Sequence, residues 1–365
     1  MIMENVHDLM MQALAENVFP GGVLLVFREG SILFFEAYGY ANIFSKRTMT
    51  RDTIFDLASV TKPLATTLAV MKLVEQGKLD IEQNLGSVLP QFLVPKPGLG
   101  NEKGQIKIKH LLGHNSGLPD HRPYYEHLRE IRPDARRDRL KEFLLDEPLI
   151  SPVGEKTVYS DLGFMILGWV IEHLSGTRLD RFVNETVFSP LGLETLFFVD
   201  VNRPRLGNFA ATELCPWRNQ VLEGLVHDDN CYSAGGIEGH AGLFATAGEL
   251  CILLSELLKA FHSRFSACVF QRNILKAFFE RGKDTERALG FDMPARQDAS
   301  CGHYFSEQSV GHLGFTGTSF WIDLDRCISV ILLTNRVHPS RDNVKIKAFR
   351  PKIHDAVMKV VVNSI

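Results

Sequence analysis

The sequence predicts an α+β fold: one antiparallel sheet assembled from both ends of the chain and flanked by helices, plus a mainly helical lobe from the middle. Two observations predict it. Apolar, β-branched runs cluster near residues 23–37 and again at 318–334, with helix-patterned sequence between them. Neither strand group could bury both faces alone, so one shared sheet with the terminal helices on one face is the economical packing. A third observation narrows the field: no internal repeat is evident, which excludes solenoids and propellers. The expected division is residues 1–80 with 286–365 as a discontinuous sheet domain, and 81–285 as a mainly helical region. At ~150 residues per domain, 365 residues suit two units or one large one.

Each element has its own signal. Val6, Leu9, Met10, Ala13 and Leu14 recur at helical spacing and predict an amphipathic first helix. Residues 23–27 and 32–37, joined by Arg28-Glu29-Gly30-Ser31, read as a hairpin. A long helix is expected from about Ser59 to Gln76, closed by Gly77. Pro95-Lys96-Pro97-Gly98 marks a loop. Residues 162–174 are apolar nearly all round, which predicts a buried helix ending at Ser175-Gly176. Further helices are expected at 247–261 and 271–279. Strands at 318–323 and 327–334 flank a tight turn at Leu324-Asp325-Arg326, and a closing helix spans about 343–361.

Composition excludes several function classes. Hydrophobic residues make up 45% and charged residues 23%, which is a globular mixture and not a disordered or collagenous one. A net charge of −3 gives no electrostatic footprint for a nucleic acid. The basic stretch from Arg132 to Arg139 is broken by Pro133, Asp134 and Asp138 and reads as a solvated helix face. No apolar run is long enough to span a bilayer, so no membrane partner is expected. No basic-then-apolar leader opens the sequence, so a cytoplasmic location is expected. The six cysteines contain no Cys-x-x-Cys pair and read as buried free thiols. His110, His114, Asp120 and His121 have a spacing that could hold zinc, but the glutamate of His-Glu-x-x-His is absent. No metal and no cofactor is expected.

The chemistry-bearing segments are three. Ser59-Val60-Thr61-Lys62 stands at a predicted helix start, where unpaired N–H groups favour negative charge. One helical turn brings the Lys62 amine beside the Ser59 hydroxyl, where it can assist the base that a serine nucleophile needs. Pro63 suits a first turn but disfavours helical geometry at Lys62. By composition about one Ser-x-x-Lys is expected by chance in such a chain, so an N-cap serine with a surface lysine is the competing reading. Tyr159-Ser160-Asp161 stands immediately before the buried helix, with Ser160 or Asp161 as its cap. The competing reading there is a cap beside a core tyrosine. Gly311-His312-Leu313-Gly314-Phe315-Thr316-Gly317-Thr318 leads into a strand, and its glycines allow close approach of a backbone or ligand. A glycine-rich strand edge is the plain alternative.

Together these segments resemble the serine β-lactamase and penicillin-binding superfamily, whose Ser-x-x-Lys motif they contain. The order Ser-x-x-Lys, Tyr-x-Asn, then Lys-Thr-Gly or His-x-Gly is similar to the class C β-lactamase branch with its esterase and D-peptidase relatives. Phe55-Asp56-Leu57-Ala58, residues 110–119 (HLLGHNSGLP) and residues 239–246 (GHAGLFAT) match further segments of that branch. The resemblance covers roughly residues 19–334. It implies a β-lactamase-like fold and an acyl-enzyme on Ser59. It implies that Lys62 and Tyr159 share the proton transfers, and that His312 stands where class C enzymes have lysine. The backbone N–H groups of Ser59 and Phe315, the latter next to Gly314, form the implied oxyanion hole. Two such fixed donors are worth roughly 3–4 kcal/mol each.

Two departures refine the expectation. Asp161 replaces the asparagine, and an ionised carboxylate there keeps Lys62 protonated and lowers the Tyr159 phenol by way of the adjacent cation. His312 replaces a permanent cation, and its own protonation is expected to change near neutral pH. Both changes favour a neutral substrate over a penicillin or D-Ala-D-Ala peptide. The expected activity is therefore a serine hydrolase acting on small esters. A D-amino-acid peptidase or amidase and a weak β-lactamase are the alternatives, and a sensor that acylates without turnover is the non-enzyme one. His240, in His240-Ala241-Gly242, is a rival His-x-Gly and a candidate cleft residue.

Overall fold

The structure is a computed structural model that describes residues 3–94, 102–263, 269–282, 285 and 287–363. The Pro95–Gly98 loop and Cys268 lie outside the described residues. Strands occur at Gly21–Arg28 (β1), Ser31–Asn42 (β2), Arg47–Thr48 (β3), Phe55–Asp56 (β4), Phe197–Phe198 (β5), Leu214–Cys215 (β6) and Gln220–Val221 (β7). They continue at Leu243–Ala245 (β8), Val310–Leu313 (β9), Ser319–Asp323 (β10) and Ile328–Thr334 (β11). Six of them form one antiparallel sheet in the order β3-β2-β1-β11-β10-β9, joining the two ends of the sequence as expected.

The register explains why the central strands are apolar throughout. Val23 pairs with Leu333 and Leu25 with Ile331, and these four face a core shared with the middle helices. The alternate residues Leu24, Val26, Leu332 and Val330 face the terminal helices Glu4–Ala15 and Ile346–Asn363. Val6, Met10 and Ala13 of the first helix meet Ile353 and Val357 of the last in that second core. A strand covered on both faces has no position left for solvent-facing polarity.

The middle is helical with two exceptions that the residue pattern did not show. β4, β8 and β5 form a small sheet, and β6 pairs with β7. At two or three residues each, these strands are too short to set up a readable alternation. The helix expected from Ser59 is also not one regular element. A 3₁₀ turn at Ala58–Val60 passes into a π-type turn at Lys62–Thr67, and a regular α-helix runs only over Leu68–Glu75. Pro63 offers no N–H and restrains Lys62, so the chain widens there before it can settle. The buried helix spans Asp161–Ser175 and ends at Gly176 in the left-handed region. Among the described residues, no helix is long and apolar enough to cross a membrane. The five described cysteines are free, and all but Cys327 are buried.

Candidate active site

The segment that carries Ser59 is held by its neighbours on both sides. β4 pairs with β8, and the Leu57 N–H then donates to the Leu243 carbonyl at 3.0 Å. Ala58 sits at φ +46°, an uncommon conformation for a residue with a side chain. The buried Asp56 holds it there, accepting from Ala58 N at 2.8 Å and from His227 N at 2.7 Å. Ser59 is thereby turned toward a cleft of about 390 Å³ that Tyr159, His312, Gly314 and Phe315 also line.

Lys62 is fully buried, and its ammonium has three partners. It donates to Ser59 Oγ at 2.9 Å, to Asp161 Oδ1 at 2.7 Å and to the His240 carbonyl at 3.3 Å. Three donors on three acceptors leave no unsatisfied group. Burial disfavours the charge on Lys62, but the Asp161 carboxylate outweighs it, and the amine lies above its usual range. For Asp161, burial opposes ionisation and Lys62 overrides it, so the carboxyl lies well below its usual range. The expectation of an ionised aspartate and a protonated lysine therefore holds.

Tyr159 and Asp161 are placed by the turn before the buried helix. Ser160 is the cap: its Oγ accepts from Gly163 N at 3.3 Å and donates to the Pro119 carbonyl at 2.6 Å. His114 secures the same turn. Its Nδ1 accepts from Ser160 N at 3.0 Å, its carbonyl accepts from Val158 N at 2.8 Å, and its ring lies 4.6 Å from that of Tyr159. Burial holds the His114 imidazole far below its usual range, which suits a ring nitrogen acting as acceptor. His121 approaches the other oxygen of Asp161 at 3.4 Å.

The Tyr159 phenol does not follow the expectation. Burial raises it more than Lys62 lowers it, and Asp161 raises it further, so it lies above its usual range. The cation beside it is largely neutralised by its own partner. His312 also differs from expectation. It lies on β9, 2% exposed, and burial pushes it down to about 4, so it is neutral at physiological pH. Its Nδ1–H donates to the Leu313 carbonyl at 2.8 Å, while its Nε2 is buried without a partner, and the ring lies 5.9 Å from that of Tyr159.

The β9–β10 turn is tied to the segment that carries Ser59. Thr316 Oγ1 donates to the Asp56 carbonyl at 2.7 Å and Thr318 Oγ1 to the Leu57 carbonyl at 3.1 Å. Phe315 sits between them with its side chain half exposed. His240 does not line the cleft. Its carbonyl touches Lys62, while its Nε2 meets Asp228 Oδ1 at 2.9 Å. Asp56 and Arg287 took no individual role from the residue pattern, and His114 was weighed there only for metal binding. Arg287 lies 5.2 Å from the Tyr159 ring and pairs with Asp292.

Comparison with known proteins identifies the family and the fold. The family model "Beta-lactamase" matches residues 6–353. An N-acetylmuramyl-L-alanine amidase of Bacillus subtilis (strain 168) is 34% identical over 343 residues, covering 88% of this chain and 78% of the relative. The solved structure of EstCE1, a hydrolase with promiscuous acyltransferase activity, superposes with a TM-score of 0.76 at 24% identity, covering 98% of both chains. The octameric penicillin-binding protein homologue from Pyrococcus abyssi does so with 0.75 at 18% identity, covering this whole chain and 78% of its own. Likenesses at such identity speak for the fold alone, but the family model spans nearly the whole chain. The chain therefore belongs to the Beta-lactamase family and is a serine hydrolase.

Proposed function

We propose that the protein hydrolyses an amide bond through an acyl-enzyme on Ser59, with small esters turned over by the same machinery. The observation that carries this reading is the 2.9 Å bond from the Lys62 ammonium to Ser59 Oγ at the cleft wall, beside the Tyr159 phenol. The residue pattern alone favoured esters. The amidase relative at 34% identity moves the preference to an amide.

Lys62 has no free lone pair while Asp161 holds it as ammonium, so it serves as a fixed charge. The tyrosinate form of Tyr159 takes the Ser59 proton as Oγ attacks the substrate carbonyl. The N–H groups of Ser59 and Phe315 receive the developing oxyanion. Tyr159 then returns the proton to the leaving nitrogen or oxygen as the carbonyl reforms, leaving the acyl group on Ser59. A water molecule repeats the sequence and frees the acid.

The test joins labelling to turnover. A fluorophosphonate probe should add once to the wild type by intact mass and not at all to Ser59→Ala. Hydrolysis of p-nitrophenyl esters, nitrocefin, D-Ala-D-Ala peptides and an N-acetylmuramyl-L-alanine amide then ranks substrates. Equal labelling of Ser59→Ala removes the acyl-enzyme, and an ester preference over every amide restores the ester reading.

A further inference from the structure

His227-Asp228-Asp229 takes no part in the proposed proton transfers, yet it packs against the turn that carries Phe315. The His227 ring is buried and stacks on the Phe315 ring, with centroids 5.6 Å apart and planes inclined by 27°. Its Nε2 lies 3.2 Å from Glu213 Oε2. That same oxygen accepts from Arg341 Nε at 2.8 Å and from Arg341 Nη2 at 2.5 Å, and Arg341 Nη1 donates to Asp229 Oδ2 at 3.1 Å. The contacts thus leave the chain at His227 and return to it two residues on. Burial opposes ionisation of Glu213, but His227 and Arg341 override it, and its carboxyl lies at about 2.

His227 also reaches the Ser59 side of the cleft. Its N–H donates to Asp56 Oδ2 at 2.7 Å, and Asp56 Oδ1 accepts from Ala58 N at 2.8 Å, one residue before Ser59. One residue therefore touches both segments whose N–H groups are to receive the oxyanion, through its backbone on one side and its ring on the other. Phe315 needs such a backing, because its side chain is half exposed at the cleft wall. Arg336 holds the same residue from another direction, over the ring at 4.5 Å and with Nε on the Phe315 carbonyl at 2.8 Å. A group in the reaction centre displaced by about 1 Å can cost on the order of a hundredfold in rate, so its supports must be rigid.

We propose that His227 is a positioning residue for the oxyanion hole: its ring, held by Glu213 and Arg341, backs Phe315 and so fixes the Phe315 N–H. The inference rests on the acyl-enzyme reading of Ser59. In this role the imidazole touches no substrate and exchanges no proton, so another flat ring can stand in for it. Glu213 keeps Arg341 when the imidazole is gone.

Side-chain substitution leaves the residue 227 N–H, and with it the bond to Asp56, in place. His227→Ala should lower kcat and kcat/KM for a p-nitrophenyl ester together, by about tenfold or more, with KM held within about threefold. That is the pattern of an interaction made only in the transition state. His227→Phe keeps the stacked ring and should recover most of the loss. Phenylboronic acid, whose adduct on a serine places an oxygen where the oxyanion forms, should weaken in His227→Ala by a factor similar to that in kcat/KM. Phe315→Ala removes the other ring of the stack from the exposed side and keeps its N–H. It should lower kcat likewise, and this arm stands even where His227→Ala does not fold. Unchanged kcat in His227→Ala or Phe315→Ala, or an equal loss in His227→Ala and His227→Phe, overturns the positioning role and keeps the Ser59 reading. Ester hydrolysis that survives Ser59→Ala in full overturns the Ser59 reading and this inference with it.

Discussion

At the scale of single residues, the site is governed by one buried ion pair. Asp161 pins Lys62 as ammonium, and on the proposed mechanism Tyr159 is then the group that exchanges the proton. Since burial holds the phenol up, the reactive tyrosinate is scarce at neutral pH and grows as pH rises. We expect kcat/KM to climb from pH 6 to 9. His312 lies at about 4, so it adds no inflection between pH 6 and 8. A rate profile on one ester between pH 5 and 10 checks this, and a step near pH 6.5 that vanishes in His312→Gln would show that the imidazole titrates after all. Asp161→Asn gives the complementary result. Removing that carboxylate lowers both Lys62 and Tyr159, because it raises each of them in the native protein. The rise in activity should move toward lower pH by roughly one unit or more, each unit being about 1.4 kcal/mol. An unmoved profile would mean that neither group is the base.

At the scale of elements, the glycines of the β9–β10 segment set the distance between sheet and nucleophile. A Cβ on Gly314 would lie 2.0 Å from Thr318 Oγ1 and 2.5 Å from the Leu57 carbonyl, the two atoms that tie the turn to the nucleophile segment. Gly314→Ala should therefore cost about 1–3 kcal/mol in urea unfolding, as overpacking does. It should also lower kcat tenfold or more by shifting the Phe315 N–H, within the range for a misplaced oxyanion donor. Unchanged stability and kcat would show that the turn adjusts freely. The motifs of this region were legible because they are local: Ser59 and Lys62 are one turn apart, and Tyr159 directly precedes a cap. What was not legible depends on contacts across the chain. Ala58 takes a left-handed conformation with its N–H held by Asp56, whose other oxygen accepts from His227 N far along the chain, and nothing in the residue pattern announces that second bond. The balance of burial against charge at Tyr159 and His312 is likewise a product of the assembled site.

At the scale of the whole molecule, the sheet is closed on its second face by the chain's two ends, and this makes acid sensitivity a property of the fold. The sheet of joined termini was legible because strands buried on both faces leave long apolar runs at 23–27 and 328–334. The closing helix carries His354, fully buried, with Nδ1 donating to the Ser300 carbonyl at 3.1 Å. Burial pushes this imidazole down to about 4, whereas an unfolded histidine lies near 6.5. Between those values the unfolded chain binds the proton and the folded chain does not, so stability rises with pH across the window. Its contribution is complete above about pH 6.5 and lost as pH falls to about 4. A shift of this size corresponds to roughly 3 kcal/mol. His354→Gln keeps a side-chain N–H donor and cannot take up a proton. Unfolding free energies measured from pH 7 to 4 should therefore fall less steeply for the variant, by on the order of 3 kcal/mol at the acid end. Carboxylate protonation contributes equally to both proteins and cancels in the difference. Parallel curves would mean that the terminal helix opens to admit the proton before the sheet unfolds.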